Sequence, residues 1–146
     1  KTLSFFGEVK ADLSKNISAG INGTFRSLSA KDLAEVWNVP SITLGANVEA
    51  NITDKWFAGM NLFFVGERFD LVTAPDLLND PNFYTFNKVT LDSYLDMNAN
   101  VGYKYNERLT LFLKGNNLFN QAYERWMNFP AQQIQVVLGA NYKFDF

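Results

Sequence analysis

Few residues in this 146-residue chain could carry out chemistry, because histidine and cysteine are both absent. Without histidine there is no Ser-His-Asp or Cys-His catalysis, no histidine-ligated metal and no usual proton shuttle near neutral pH. Without cysteine there is no disulfide, thiolate nucleophile or thiolate metal site. Carboxylates and Ser-Lys pairs remain, but no spacing arranges either for catalysis. We therefore expect no enzyme activity, no catalytic residue and no cofactor.

The carboxylates nevertheless form two groups that could bind something. Asp92 and Asp96 are predicted to share one face of a strand with two asparagines that follow in the same register, where they could contact a ligand. The alternative is that they are only solvated and paired across strands. Asp76 and Asp80 could hold Ca²⁺ through their oxygens, but they lie among turn-forming residues. We expect no metal site.

Aromatic residues make up 16% of the chain, and several fall between the regular segments. These are Trp37, Tyr84, Phe86, Tyr123 and Trp126. Rings in loops could grip a ligand, or they could anchor the loops by packing, and both interpretations stay open. The net charge of −2 makes a phosphate-binding surface improbable, so we expect no nucleic-acid partner.

Apolar and polar residues alternate along seven long segments of the chain, which is the period of a β-strand. The third segment shows the pattern most clearly, because residues 42–52 place aliphatic side chains at every even position. The segments comprise residues 3–13, 17–26, 41–52, 56–67, 90–105, 109–114 and 132–146. The fold class predicted is all-β, an antiparallel meander of about seven long strands.

The connections between these segments differ in length at the two ends of the predicted sheet. Three turns consist of three polar residues each, at 14–16, 53–55 and 106–108. At the other end the connections are long, and the longest, residues 67–88, is predicted to be irregular. Short periplasmic turns and long extracellular loops are typical of a transmembrane β-barrel in the bacterial outer membrane.

The distribution of charge indicates which face of the strands would meet lipid. No apolar face carries a charge, and an Arg or Lys facing the middle of a bilayer costs about 2–4 kcal/mol. Aromatic residues gather near the short turns and the C-terminus, as in an interfacial girdle. Strands of about 11 residues suffice to cross the membrane when tilted. A soluble β-sandwich or lipocalin-like barrel, whose apolar face would be the core, is the alternative.

Three stretches resemble a known family. The sequence N-L-F-N-Q-A-Y at 117–123 matches an element that TonB-dependent outer-membrane receptors carry before their last strand. The sequence F-V-G-E-R-F-D at 64–70 is similar to a stretch further upstream in that family, and Y-K-F-D-F at 142–146 resembles its terminal strand. A Pro-Gly-Arg turn that the family often has before this strand is replaced by F-P-A-Q-Q at 129–133. This departure leaves the subfamily and the cargo open.

The resemblance implies uptake of a scarce nutrient of the iron-chelate, cobalamin or glycan class. It implies as partners outer-membrane lipid, a plug domain, the remaining barrel strands, the TonB system and the barrel-assembly machinery, which would recognise Phe146. Receptors of this kind have about 22 strands, so residues 1–146 are expected to be the C-terminal portion of the barrel domain, without the plug. A complete small outer-membrane barrel would need an eighth strand from residues 67–88.

Overall fold

The computed structural model describes residues 1–29, 36–76 and 80–144, apart from the side chains of 74–84. The described residues form strands and no helix, so none of them belongs to a helix that could cross a membrane. The strands are β1 (Thr2–Ser14), β2 (Ile17–Leu28), β3 (Ile42–Asn51), β4 (Trp56–Val65), β5 (Arg68–Asp76), β6 (Asp80–Leu91), β7 (Tyr94–Lys104), β8 (Leu109–Asn116), β9 (Glu124–Trp126), β10 (Phe129–Pro130) and β11 (Gln135–Tyr142).

Seven of these strands form one antiparallel sheet in the order β1-β2-β3-β4-β7-β8-β11. Each of the seven pairs with the next member of this sheet along the chain, which confirms the predicted all-β meander. The remaining strands form two separate two-stranded sheets, β5 with β6 and β9 with β10. Both small sheets interrupt long connections at the same end of the large sheet.

The short turns at the opposite end are held by polar side chains. Thr53 accepts hydrogen bonds at Oγ1 from the backbone N–H groups of Lys55 and Trp56. Asn106 Oδ1 accepts in the same way from the N–H groups of Arg108 and Leu109, at 2.9 and 2.8 Å. Such local bonds favour tight turns. They explain why three polar residues are enough to reverse the chain.

The strand registers align the apolar faces across the whole sheet. One row of directly paired residues crosses all seven strands on this face. It runs through Ala11, Ala19, Val48, Met60, Ala99, Gly115 and Val136. A parallel row on the other face runs through Asp12, Ser18, Glu49, Gly59, Asn100, Lys114 and Val137. The sheet therefore has one uncharged apolar face and one polar face.

Many large side chains of the apolar face are exposed, and no layer of described residues covers it. Leu44 is 41% exposed and Leu138 is 79% exposed, although both point to that face. The large hydrophobic side chains that are buried among the described residues, Leu91 and Tyr123, lie at the end with the long connections. A soluble sandwich or barrel formed by these residues would bury this face in its core, and the described residues provide no such core.

The polar face is packed more closely, because glycines accept large side chains from the neighbouring strand. A Cβ atom built on Gly102 would lie 2.1 Å from Cζ of Phe57, its cross-strand partner. Gly139 is covered by the ring of Phe112 in the same way. Aromatic rings laid over glycines shield the backbone and help to fix register. These glycines are required for space, since none has a positive φ.

The prediction that residues 67–88 are irregular is wrong, because they contain most of the β5–β6 hairpin. Its strands do not join the large sheet, so they do not supply the eighth strand of a closed small barrel. Leu71 and Phe86 are both exposed. Among the hairpin side chains that are described, burial is confined to Arg68 and Leu91 at its base, so most of these residues give no alternation from which the strands could be predicted.

Two predicted segments extend more than two residues beyond an end of the observed strand. The last strand was predicted over 132–146, but β11 covers Gln135–Tyr142, and residues 145–146 lie outside the described part. The fifth was predicted to begin at residue 90, but β7 begins at Tyr94. Asp92 is therefore an exposed residue of the connection between β6 and β7 rather than a residue on the polar face of β7.

We predict that Gly102→Ala destabilises the protein and that Gly7→Ala does not. The added methyl group at 102 must displace the Phe57 ring, whereas a Cβ at Gly7 meets nothing within 4 Å. Overpacking of this kind costs about 1–3 kcal/mol. Urea unfolding of the protein in lipid vesicles measures the difference. Equal midpoints for the two variants would contradict the packing described for the polar face.

Candidate functional site

The long connections converge at one end of the polar face, around Arg68 at the start of β5. Arg68 is only 5% exposed. Its Nε donates to Oδ1 of Asn38 at 2.9 Å, and its Nη2 donates to the backbone carbonyls of Glu124 and Arg125. Its guanidinium carbon lies 5.4 Å from the ring centre of Tyr94. The side chain of Arg68, which begins β5, therefore contacts the β2–β3 connection, the β8–β11 connection and β7.

Arg68 is buried without a carboxylate in ion-pair contact among the described residues, and its Nη1 has no hydrogen-bond partner there. The aromatic face of Tyr94 and the backbone carbonyls supply the negative potential instead. Such cation–π contacts are worth about 2 kcal/mol or more when they are desolvated. A lysine could not replace Arg68, because only a planar guanidinium group, with its several N–H donors, can donate to Asn38 and to two backbone carbonyls at the same time.

Tyr94 connects Arg68 to a second pair of residues. Its ring stacks on Tyr123 with 3.8 Å between centroids and 2° between planes. The hydroxyl of Tyr123 donates to Oδ2 of Asp96 at 3.1 Å. The other oxygen of Asp96, Oδ1, is buried and has no partner among the described residues. We call Arg68, Tyr94, Asp96 and Tyr123, with Asn38, the loop junction.

The environment of Tyr123 makes its hydroxyl a weaker acid. Burial is the largest cause, and the negative charge of Asp96 and the hydrogen bond to it act in the same direction, so the pKa of Tyr123 is raised above its usual 10.0. A hydrogen bond involving Arg125 opposes this shift. Tyr123 therefore remains a protonated donor to Asp96 across the physiological pH range.

Asn117 folds the last long connection onto the sheet. It is 4% exposed and adopts a left-handed conformation with φ of 48°, which asparagine tolerates better than most residues. Its Nδ2 donates to the carbonyls of Gln121 and Gln132, both at 3.0 Å, and its Oδ1 accepts from the N–H of Gln121. Its own N–H donates to Oδ1 of Asn98. The side chain is fully satisfied and its role is structural.

A cavity of about 540 Å³ lies between this folded connection and the polar face of β7 and β8. We call it the carboxamide cavity. Its walls include Asp96, Asn98, Asn116, Trp126, Phe129 and Gln133. Its size lies within the range of small-molecule sites in proteins. It is open, and it faces the end of the sheet where the long connections lie.

The structure brings some of the predicted contact residues together and separates others. Asp96, Tyr123 and Trp126 all line the carboxamide cavity. Trp37 is half-buried beside the loop junction, where it forms an isolated bridge with Phe69. The remaining predicted residues lie elsewhere. Phe86 is exposed on β6, Asp92 is exposed after it, the side chain of Tyr84 is outside the described part, and so is Phe146.

Arg68 and Asn117 were not predicted as site residues. Both belong to the stretches that carry the family resemblance. Their presence in these stretches indicated the family but was not interpreted as a sign of a role in the site. Asp70 was also missed. Its Oδ2 accepts from the N–H of Met127 at 2.8 Å and joins β5 to the last long connection. Contacts between residues more than fifty positions apart cannot be deduced from local sequence patterns.

No protein-family profile and no curated protein sequence matches the chain. Among solved structures, it resembles the ferripyoverdine receptor of the outer membrane of Pseudomonas aeruginosa, with 16% identity over 98% of this chain and a TM-score of 0.79. It also resembles the siderophore receptor PirA from Acinetobacter baumannii, with 19% identity over 97% of the chain and a TM-score of 0.80.

A third similar structure is the ferric-catecholate import receptor Fiu from Escherichia coli, with 17% identity over 92% of the chain and a TM-score of 0.66. The chain spans about a fifth of each of these proteins, covering 19%, 22% and 20% of their lengths. At such identities the likeness shows the fold. The chain therefore has the fold of a segment of an outer-membrane receptor barrel.

We predict that Arg68→Met loosens the loop junction. The change leaves Asn38 Oδ1 and two carbonyls without their charged donor, which costs about 2–3 kcal/mol. Hydrogen exchange at the amides of residues 123–127 should accelerate by about tenfold or more. Arg68→Lys should restore only part of the protection. Arg108→Met, at the short-turn end, is the control, and equal acceleration there would refute this role for Arg68.

We also predict that Tyr123 ionises above its usual pH range and that Asp96→Asn lowers the pKa of Tyr123. Because the folded protein holds the Tyr123 proton more tightly than the unfolded chain does, the raised pKa contributes to the free energy of unfolding. This contribution is fully present below the unfolded pKa of 10.0 and is lost as the pH rises through the pKa of Tyr123 in the folded protein. The titration of Tyr123 is measured as the part of the tyrosinate absorbance that is present in the protein and missing from the Tyr123→Phe variant. If that absorbance appears at pH 10 or below, the predicted shift is wrong.

Proposed function

We propose that this chain is the C-terminal portion of the barrel domain of a TonB-dependent receptor in the bacterial outer membrane. Its role is to take up a scarce nutrient, with no chemistry of its own. The observation that carries the proposal is the aligned, uncharged and exposed apolar face of the seven-stranded sheet. Hydrocarbon is the partner that such a face requires, because water would not stabilise it and none of the described residues covers it.

The two edges of the sheet support a larger barrel. β1 is exposed at every residue, and among the described strands β1 does not pair with β11. An open edge within hydrocarbon leaves backbone N–H and C=O groups unpaired at several kcal/mol each. Further strands must therefore pair with both edges. The lengths of the similar receptors allow for them, since this chain corresponds to about a fifth of each.

The orientation follows from the connections. The short turns would face the periplasm, and the loop junction with the carboxamide cavity would face the exterior, where a ligand arrives. A plug domain inside the barrel, the TonB system and the barrel-assembly machinery are the partners that the proposal implies. Recognition of Phe146 by that machinery belongs to the proposal as well.

The similar structures narrow the cargo class only by analogy. A siderophore receptor, a ferripyoverdine receptor and a ferric-catecholate import receptor are named for iron chelates, and uptake of such chelates by this protein is the corresponding proposal. Fold alone does not determine a ligand. The residues of the polar face and of its loops must therefore determine which ligand the protein binds.

The matched pair Met60→Arg and Asn61→Arg tests the membrane role. Met60 lies in the middle of the apolar face and is 41% exposed, while Asn61 points to the opposite face. A guanidinium that faces lipid near the bilayer midplane costs about 2–4 kcal/mol, whereas one that faces the lumen is solvated. We expect a large loss of folded receptor in outer-membrane fractions for Met60→Arg alone. Equal accumulation of both variants would contradict the proposed facing.

A further inference from the structure

The β5–β6 hairpin continues the pairing of β4 with β7 in an unchanged register. Val65 pairs with Tyr94 at the end of one ladder, and the next ladder begins with the pair Arg68 and Leu91. Two residues on each strand lie between these pairs and belong to neither ladder. Because their number is equal on the two strands, the pairing is interrupted without a bulge or an inserted residue.

This interruption, residues 66–67 and 92–93, is called the break, and it has a local cause. Gly66 is buried and donates its N–H to the carbonyl of Ile42 on β3 at 2.9 Å, so this end of β4 stays attached to β3. Beyond the break, the hairpin leaves the large sheet and continues as a separate two-stranded sheet. Hinges in proteins are short segments at the ends of regular elements that absorb changes in φ and ψ. The break has this position.

Two connections of the large sheet hold the base of the hairpin. Residues 37–38 bond to the start of β5 through the backbone and through the side chain of Asn38. Residues 124–127 bond to it as well, because Arg68 donates to two of their carbonyls and Oδ2 of Asp70 accepts from the N–H of Met127 at 2.8 Å. Both side chains carry a charge, which strengthens such bonds.

The hairpin is exposed farther from the break. Leu71 is 38% exposed and Phe86 is 67% exposed. A two-stranded ribbon is marginally stable by itself. The orientation of this hairpin relative to the large sheet therefore depends on the contacts at its base.

The segment that holds the hairpin is also a wall of the carboxamide cavity. Trp126 lines the cavity, and it lies in the chain between the carbonyls that bind Arg68 and the N–H that binds Asp70. Phe129, which is paired with Trp126, lines the cavity too. A change in the contacts of Arg68 and Asp70 therefore acts on the backbone on both sides of Trp126.

We propose that the β5–β6 hairpin is an arm hinged at the break, and that residues 124–127 are the latch that holds it. Release of the latch lets the arm pivot and shifts Trp126 in the cavity wall. Conversely, a molecule in the cavity that displaces Trp126 weakens the hold on the arm, because coupling between two sites is reciprocal. This inference concerns contacts within the described strands and does not rest on the proposed function.

The distance between two spin labels on the purified full-length protein tests the hinge. The labels are attached at Asn87→Cys on β6 and Val136→Cys on β11, which are both exposed positions in a chain without cysteine. We expect one narrow distance distribution in the labelled parent. The latch variant, Arg68→Met combined with Asp70→Ala, should add a second, shifted population. Loss of these charge-assisted bonds raises the ratio of released to held arm by about a hundredfold or more.

The matched control makes the same two changes at the short-turn end, as Arg108→Met combined with Asp54→Ala. It should leave the single narrow distance distribution unchanged, because neither residue contacts the base of the hairpin. A separate label at Phe129→Cys, a position that is 69% exposed, tests the coupling to the cavity wall. We expect the mobility of this label to rise in the latch variant and to stay unchanged in the control.

An unchanged arm distance in the latch variant would overturn the hinge. An arm that moves while the label at position 129 keeps its mobility would overturn the coupling to the cavity. Equal changes in the latch variant and the control would show a general loss of stability and refute the assignment of the latch to residues 124–127. The distances are measured in detergent and in lipid bilayers, so a protein that fails to insert would refute the proposed function while the hinge is still tested.

Discussion

In the receptor role that we propose, the structure depends on contact between one face of the large sheet and an apolar environment outside the protein. A domain of this size normally stabilises itself by burying side chains in a core. Here many of the large aliphatic residues of the sheet are exposed, and the buried large hydrophobic side chains among the described residues, Leu91 and Tyr123, lie at the loop end. Hydrogen bonds between the backbones of neighbouring strands hold the sheet together. They cannot by themselves keep a wide apolar face in water.

The same constraint explains how the polar face is built. If lipid stabilises the outside, as we propose, the inside needs no apolar core and can carry asparagines, charges and closely packed glycine–phenylalanine pairs. The long connections can then fold onto that face through polar contacts. Arg68 and Asn117 organise them by satisfying backbone carbonyls rather than by hydrophobic burial. The carboxamide cavity lies where these polar contacts leave space.

The large sheet could be predicted from the sequence because apolar and polar side chains alternate along its strands with a period of two, which places them on opposite faces. The β5–β6 hairpin escaped prediction, since its residues are not sorted between two environments and Pro75 and Asp76 suggested a turn. Asp96 and Tyr123 were chosen for residue type and position and meet in the cavity wall. Arg68 lies in a stretch that resembles the family, but its structural role could not be deduced, because that role arises from contacts with Asn38 and Glu124, which lie 30 and 56 residues away.

Spin-label accessibility along β3 in lipid bilayers is the most direct measurement of the facing of the sheet. The chain has no cysteine, so single cysteines at successive positions from 44 to 50 can each carry one label. The account predicts contact with lipid-soluble oxygen at even positions and with a water-soluble nickel complex at odd positions, in strict alternation. The reverse alternation, or equal access of both reagents along the strand, would contradict it.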